Sequence, residues 1–507
     1  MNLRLMRNAV SNLMGAVVPA VVALGTVPLV VRGLGETGYG VYSLVTAIVG
    51  YFAVIDINVT AGSVKFIAEH NARADRDKIS QTLFFGIAVY ALIGAVGGLG
   101  LFLGAGYFVT GVFSVPAAIV PEAIAALQLA AFGFLLTQLQ AYLQSVPQAL
   151  MRYDISSRIE MCFGTLVPLL TVGVLMLGYG LFEVILLRVI ASGVHCLILW
   201  AGIRRLLPGL AFRRAGSDVR RQLLGFSAYS FLSRFAALSY QHADKLIIGA
   251  LAGVTALAYF TVAATLANRV LGLTYRLSGV LFPAASALAA GGEFDRLNRL
   301  YLTANRYIVF LNSAILVLVA VFAEPILRYW MNPGFARNGA LVLAVMALSQ
   351  FIDSLTSLPS LVNDGMGHPR VSGLFAVARA CTGLLMVYAG VRLGGIDGAA
   401  LAHLAASAVF TIAFLSYVHG RTVRTSLRDL LVHSYFPTFI GVTVIALAAR
   451  LAVERLAPSA SNFAWLLMAT MVLLFAHGVL FVIERGDRDA AWLHVKKALG
   501  HARGKPA

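Results

Sequence analysis

The sequence predicts an all-α, polytopic membrane protein that crosses the bilayer about fourteen times. Of its 507 residues, 59% are hydrophobic and 12% are charged, which is far more apolar than a soluble globular protein. Apolar stretches long enough to span a bilayer, about 20 to 25 residues each, recur along the whole chain. Because about fourteen such stretches leave only short loops, the composition excludes a separate soluble domain.

The predicted spans lie between polar breaks. The first apolar run follows Arg4 and Arg7 and is longer than the apolar segment of a signal peptide, so we interpret it as a retained span. Later spans are separated alternately by charged segments and by short loops with little charge. The spans are predicted at 9–31, 39–62, 80–108, 117–146, 159–178, 181–203, 223–248, 254–281, 302–323, 339–362, 371–393, 398–418, 434–453 and 463–484.

The distribution of positive charge predicts the orientation of the chain. There are 39 Lys and Arg against 22 Asp and Glu, a net charge of +17. Loops on the side of the two termini carry most of these basic residues, whereas three opposite loops, near 109–116, 178–180 and 249–253, carry none. Cytoplasmic loops collect Lys and Arg, so both termini are predicted to be cytoplasmic. This explains the net charge without a nucleic-acid partner and leaves membrane lipids as expected contacts.

Two segments of the chain resemble each other at a nearly constant offset. The stretch 74–79 after the second span is matched by 292–297 after the eighth, and Tyr39 is matched by Tyr259. Because six spans separate the two segments, the predicted repeat is parallel, about a pseudo-two-fold axis along the membrane normal. The predicted domains are an N-terminal six-helix lobe at 1–210, a C-terminal six-helix lobe at 211–429 after a basic linker, and two helices with a basic tail at 430–507.

The sequence lacks the motifs that would make the chain an enzyme or an ATPase. It has no P-loop, no histidine cluster with metal-ligand spacing and no nucleophile with a paired base. Its three cysteines never lie two together, which argues against a disulfide framework or a zinc site. The longest predicted outer loop, 324–338, is too short to build the site of a glycan polymerase or ligase. We therefore expect no catalytic residue, metal or other cofactor.

Several arginines fall inside the predicted spans, where a charge is costly. The cost runs from about 3 kcal/mol on insertion scales to more than about 10 kcal/mol in simulations, so such residues face protein or water instead of lipid. Guanidinium groups bind phosphate oxygens in a bidentate way, so a cavity with surplus arginine favours an anionic guest, with pyrophosphate as the first candidate. In the alternative interpretation each arginine only holds helices together through an acid or a carbonyl. The predicted cavity residues are Arg188, Arg234, Arg269, Arg276 and Arg379.

Acidic residues and histidines inside the spans are candidates for coupling transport to an ion gradient. Asp353 and Asp56 are the two acidic candidates. A proton relay through His195, His242 or His403 is a further hypothesis, because the unperturbed pKa of histidine lies near neutrality. A single histidine on a helix is more often packed or hydrogen-bonded, and this alternative stays open for all three.

The start of each predicted lobe resembles a known family. The segment 33–44 (Gly-Leu-Gly-Glu-Thr-Gly-Tyr-Gly-Val-Tyr-Ser-Leu) is followed by Tyr-Phe-Ala-Val-Ile-Asp at 51–56. The second half contributes Asp-Lys-Leu-Ile-Ile-Gly at 244–249, then Tyr259, and Phe-Pro at 282–283. These segments resemble bacterial polysaccharide repeat-unit flippases of the multidrug/oligosaccharidyl-lipid/polysaccharide (MOP) exporter superfamily. The chain departs from the family after Asp56: the family usually has an apolar residue and then glycine, whereas this chain has Ile57 and then Asn58.

The resemblance implies two six-helix lobes around a central cavity that opens alternately to the two sides of the bacterial inner membrane. The implied substrate is an undecaprenyl-pyrophosphate-linked oligosaccharide, moved to the periplasmic leaflet for surface or exopolysaccharide biosynthesis with no bond made or broken. A polysaccharide polymerase and export machinery are the implied partners. Three alternatives stay open: a multidrug exporter of the same fold, a peptidoglycan lipid-precursor flippase and, from another class, a glycan polymerase or ligase.

Overall fold

The computed structural model of the chain is built from α-helices. It describes residues 3–53, 59–221, 223, 242–278, 281–423, 425–457 and 459–489. Over these ranges helices are joined by short turns, and the backbone forms no β-strand. The all-α class predicted from the hydropathy pattern is confirmed for the residues that the structure describes.

The first half of the chain forms helices α1 to α8. They are α1 (Leu3–Phe52), α2 (Val59–Ala72), α3 (Arg76–Tyr107), α4 (Val120–Ala149), α5 (Tyr153–Met176), α6 (Leu181–Leu206), α7 (described over 242–251) and α8 (Val254–Ser278). α1 contains a break at Gly35, whose φ of +72° lies in the left-handed region that favours glycine. α3 begins at Arg76 because the Asp75 carboxylate accepts a hydrogen bond from the Lys78 N–H at 3.0 Å.

The second half forms helices α9 to α17. They are α9 (Leu281–Ala290), α10 (Phe294–Val321), α11 (Ala323–Trp330), α12 (Pro333–Ser354), α13 (Ser357–Gly365), α14 (Pro369–Arg421), α15 (Leu427–Leu430), α16 (Phe436–Arg455) and α17 (Ala460–His477). α14 is broken at Gly394 and Gly395, the second with a φ of +57°. α12 begins at Pro333, where the Asn332 side chain accepts a hydrogen bond from the Phe335 N–H at 2.9 Å.

Ten described helices are long and apolar enough to cross a membrane. They are Val18–Phe52, Arg76–Val112, Ala117–Ala149, Tyr153–Met176, Leu181–Leu206, Phe294–Val321, Pro333–Gly365, Pro369–Arg421, Leu427–Arg455 and Ala460–Val482. The first contains parts of two predicted spans and the eighth contains two whole ones, because a glycine break divides each helix without ending it. The predicted span 223–248 lies largely outside the described residues, and the count of fourteen stays a prediction.

The chain forms two compact units, of which the first comprises Met1–Val262 and Ala376–Ala402. Its core lies between α2, α3, α4 and α6, where the rings of Tyr90 and Tyr142 stack with centroids 5.1 Å apart. The Tyr142 hydroxyl donates to the Thr82 carbonyl oxygen at 3.1 Å, and a Cβ at Gly86 would overlap the Tyr142 ring. A residue without a side chain at this position lets α3 and α4 approach closely.

The second unit comprises Ala263–Phe375 and His403–Ala507. α10 lies at its centre, in contact with α9, α12, α13 and α16. Tyr301 of α10 and the imidazole of His419 on α14 form a hydrogen bond of 3.0 Å in the buried core. The segment that follows α17 returns along α10, where the Tyr307 hydroxyl donates to the Asp487 carboxylate at 2.6 Å. The domain boundaries expected at 210 and 429 stay predictions.

The repeat inferred from the sequence recurs in the local backbone at two turns. Before α3 and before α10, Ala74 (φ +55°) and Gly292 (φ +71°) occupy the same left-handed position, at the offset of the sequence repeat. The next N–H donates back to the fifth preceding carbonyl in both turns, at 2.9 Å and 3.0 Å. Met151 (φ +57°) before α5 and Gly367 (φ +93°) before α14 form a second matching pair at nearly the same offset. These matches support a duplicated unit, while the pseudo-two-fold axis stays a prediction.

Candidate functional site

Arg188 and Tyr42 form a cation-bearing pair inside the first unit. Arg188 lies on α6, and Tyr42 lies on the part of α1 that follows the break at Gly35. The guanidinium donates to the Tyr42 hydroxyl, and its Cζ lies 5.5 Å from the centre of the Tyr42 ring. Buried Tyr39 packs beside this ring with centroids 5.8 Å apart. One of the predicted cavity arginines therefore has a defined aromatic partner.

Arg188 is exposed although it belongs to an apolar helix long enough to span a bilayer. It lies about 10 Å along the axis from the start of α6, at 1.5 Å per residue. A guanidinium that faces lipid is costly, at about 3 kcal/mol or more at the bilayer centre, so the exposed side of Arg188 is expected to meet water or a polar ligand. A planar guanidinium beside a phenol can bind phosphate oxygens and sugar hydroxyls.

The other predicted cavity arginines are divided between the two units or lie outside the described residues. Arg379 is half-buried on α14 and belongs to the same unit as Arg188. Arg269 is exposed on α8 and belongs to the second unit. Arg234 and the side chain of Arg276 lie outside the described residues. Convergence of the five arginines on one cavity stays a prediction.

Asp353 lies half-buried on α12, beside a layer of hydroxyl groups in the second unit. Ser349, one turn earlier, forms a hydrogen bond with Ser407 of α14 at 2.8 Å, and Thr411 donates to the Ile352 carbonyl oxygen at 3.3 Å. Oxygen-rich surroundings of this kind suit a hard cation or a proton. Asp56, the other acidic candidate, lies outside the described residues. Ion coupling through Asp353 or Asp56 stays a prediction.

The candidate histidines occupy packed positions. His195 is buried and stacks on Phe163 with ring centroids 4.3 Å apart and planes inclined by 15°. The His242 ring covers Gly50 of α1, where a Cβ would overlap it. His403 is buried on α14. Within the described part of the chain, no group of three or more His, Cys, Asp or Glu side chains is placed to hold a metal ion.

The structure also contains a polar contact between α1 and α8 that the sequence did not predict. The Tyr259 hydroxyl donates to the Glu36 carboxylate, and the hydroxyls of Thr37 and Thr255 lie 3.2 Å apart. The two threonines are 218 residues apart, which is the offset of the sequence repeat. The sequence shows the offset between the two threonines, but not that their side chains touch, because the contact forms only when the helices pack.

Residues 29–332, more than half of the chain, match a family described as "Polysaccharide biosynthesis protein". The chain belongs to this polysaccharide biosynthesis family. Tyr42, Arg188, Glu36 and Tyr259 all lie within the matched residues. Both polar contacts described above therefore fall in the part of the chain that defines the family.

Relatives and solved structures agree with this family membership. A "Putative O-antigen transporter" of Shigella flexneri is 22% identical over 402 residues, covering 78% of this chain and 93% of the relative. The fold is shared with the lipid II flippase MurJ in an inward closed conformation, at a TM-score of 0.70 and 12% identity over 93% of this chain and 98% of that one. It is also shared with an inward-facing multidrug resistance MATE family transporter of the MOP superfamily, at a TM-score of 0.66 and 15% identity over 80% and 94% of the two chains. The resemblance to a polysaccharide family is confirmed by the family match, the fold is the one seen in MOP superfamily transporters, and this family member is a multi-pass membrane protein.

Proposed function

We propose that this protein is a flippase that moves a lipid-linked oligosaccharide across the bacterial inner membrane by alternating access. The match to a polysaccharide biosynthesis family over residues 29–332 carries the proposal. The names of an O-antigen transporter and a lipid II flippase among the similar proteins support it, since both describe transport. The protein makes and breaks no bond in this proposal, so it is a transporter and not an enzyme.

The chemistry of the proposed substrate fits the arginines within the spans. An oligosaccharide and its pyrophosphate are too polar to cross hydrocarbon unaided, because burying an ion or an unpaired hydroxyl in an apolar medium is costly. Arg188 offers a guanidinium for phosphate oxygens, and Tyr42 beside it offers a hydroxyl. In the proposed path the head group follows this polar surface while the lipid tail stays in the bilayer.

The proposal includes an orientation and a source of energy. Both termini are cytoplasmic, as the basic loops predict, and the substrate moves to the periplasmic leaflet. Protonation or cation binding at Asp353 or Asp56 couples the cycle to an ion gradient. A polysaccharide polymerase and export machinery receive the product, and membrane lipids surround the chain.

Arg188→Ala tests the proposed substrate contact. We expect export of the glycan to fall by at least tenfold, because the substrate phosphate loses a charged partner, while the protein still inserts and reaches normal levels in the membrane. In Arg188→Lys, export of the glycan is expected to fall less, because lysine keeps the positive charge although it lacks the planar guanidinium fork. The measurement is surface polysaccharide in a strain that depends on this protein, with membrane levels determined in parallel.

Arg392→Ala is the matched control. Arg392 also donates to a tyrosine hydroxyl, that of Tyr388 at 3.3 Å, with its Cζ 5.6 Å from the ring centre, but it lies at a helix end near the glycine break of α14. Export should be unchanged in this variant. Normal export from Arg188→Ala would contradict the substrate contact.

The same strains separate the alternative functions. Resistance to cationic drugs without a change in surface polysaccharide would favour a multidrug exporter. Loss of cell-wall synthesis on depletion would favour a peptidoglycan-precursor flippase. A changed length of the polysaccharide chains, with lipid-linked units still reaching the periplasm, would favour a polymerase or ligase.

A further inference from the structure

The contact between Thr37 and Thr255 joins two positions that are related by the internal repeat. Their hydroxyls lie 3.2 Å apart, and their separation of 218 residues equals the offset between the matching turns before α3 and α10. In an object built from two copies related by a two-fold axis, a residue can touch its own counterpart only on that axis. The break in α1 and the start of α8 therefore meet where the two halves of the repeat join.

We infer that Glu36, Thr37 and Gly40 of α1, with Val254, Thr255 and Tyr259 of α8, form a closure contact that must separate when the transporter opens on that face. The inference rests on the proposed function, since only a carrier with alternating access needs such an opening. The contact lies at the loop between the first two predicted spans, on the face opposite the termini. We therefore assign it to the outer face.

Glycines let the two halves touch through their backbones at this point. A Cβ at Gly40 would overlap the carbonyl oxygen of Val254, so α1 and α8 are in backbone contact there. Gly35 and Gly253 are related by the same offset as the two threonines, and their φ values of +72° and +86° turn the chain immediately before each contacting segment. On both sides of the closure contact, a glycine with a left-handed φ therefore precedes the contacting segment.

The same surface continues from the closure contact along α1 and α7. A Cβ at Gly249 would lie 3.1 Å from the Leu44 side chain, and Gly50 is covered by His242. Positions 40, 44 and 50 on α1 therefore meet 254, 249 and 242 in reverse order, over about 15 Å of helix at 1.5 Å per residue. Close packing through small residues is a common way for helices to associate in membranes, and it leaves few polar bonds to break on separation.

The hydrogen bond from the Tyr259 hydroxyl to the Glu36 carboxylate is a polar contact that holds this surface together. At the offset that relates Thr37 to Thr255, the counterpart of Glu36 is Val254, which has no polar side chain, so the repeat supplies no second bond of this kind. Hydrogen bonds to an ionised acceptor are among the stronger ones in proteins. Loss of this bond should therefore shift the population toward separation of the two halves.

A disulfide between Thr37→Cys and Thr255→Cys tests whether the contact must open. The pair is introduced after replacement of Cys162, Cys196 and Cys381, and oxidant is added to membranes and to cells. We expect efficient cross-linking and at least a tenfold loss of glycan export, reversed by a membrane-permeant reductant. The matched control is Ser360→Cys with Ser372→Cys, whose hydroxyls are also 3.2 Å apart but lie on α13 and the start of α14 within one unit. That pair should cross-link without loss of export.

A second measurement needs no transport. Ser43→Cys places a buried reporter on α1, one turn from Gly40, and an impermeant maleimide is added from the outside. Tyr259→Phe should raise the labelling rate at least threefold, whereas Tyr388→Phe, which removes a comparable hydroxyl elsewhere, should not change it.

The outcomes distinguish the closure contact from the proposed function. Failure of the Thr37–Thr255 pair to cross-link, export that survives its cross-linking, or labelling that Tyr259→Phe leaves unchanged would each overturn the closure contact. Absence of glycan export from the parent chain would overturn the proposed function alone, because cross-linking and labelling still report on the contact.

Discussion

Single side chains in this protein act through partners that come from far along the chain. Arg188 pairs with Tyr42, 146 residues earlier, and Tyr259 pairs with Glu36 across 223 residues. Hydropathy and charge patterns locate an arginine within a predicted span. Because a charge inside a membrane is costly, such an arginine is a candidate for a functional role. The patterns do not identify its partner, because two residues so far apart meet only after the helices have packed. The position of an arginine within a span could therefore be predicted, but its contact could not.

The reciprocal substitutions Ala74→Gly and Gly292→Ala test the repeated turn. Both positions have left-handed φ values, where a Cβ costs about 1 kcal/mol and glycine none. Ala74→Gly should therefore raise, and Gly292→Ala should lower, the free energy of unfolding by about 1 kcal/mol. The measurement is denaturant unfolding in detergent. A change of the same sign in the free energy of unfolding of both variants would contradict a shared turn geometry.

Helices in this protein end less often than the polar breaks in the sequence suggest. The predicted span 9–31 and the first part of 39–62 share α1, although 59–62 belong to α2, and the spans 371–393 and 398–418 share α14. In both cases a glycine changes the direction of the helix without a loop. Hydropathy predicts that a break exists, because polar residues leave the membrane there. It does not show whether the chain forms a loop or a kink, because that depends on one or two dihedral angles.

The two limbs of α14 are packed backbone to backbone beside their break. A Cβ at Gly390 would overlap the carbonyl oxygen of Gly398, and a Cβ at Gly398 would overlap that of Gly390. Gly390→Ala should lower the free energy of unfolding by about 1–3 kcal/mol, because the backbones must move apart. Gly394→Ala is the control, since a Cβ there meets no atom within 4 Å and its φ of −147° is open to alanine. Similar thermal stability in detergent for the two variants would contradict this packing.

At the scale of the whole molecule, composition and charge determine most of what can be predicted. Twelve of the predicted spans lie wholly or partly in the ten long apolar helices of the described chain. The predicted span 254–281, which carries Arg269 and Arg276, corresponds to α8 and continues past the described residues of that helix.

Labelling from outside tests the predicted topology. Exposed Ser217 lies in the basic linker and exposed Asn338 lies in a predicted outer loop, with three predicted spans between them. In a chain without other cysteines, Asn338→Cys should react with an impermeant maleimide in spheroplasts, whereas Ser217→Cys should react only after permeabilisation. Reaction of both from the same side would mean an even number of spans between them and would contradict the predicted count.

The hydrogen bond between Glu36 and Tyr259 illustrates what the predicted repeat, fused in one chain, can do that a homodimer cannot. In a symmetric dimer every contact off the axis occurs twice, so a carboxylate on one subunit and a phenol on the other would form two identical bonds. In one continuous chain the two copies are free to diverge, and one side supplies the acceptor while the other supplies the donor. The proposed closure contact can therefore hold this bond without a symmetric copy of it, which keeps the barrier to opening below that of a contact with both copies.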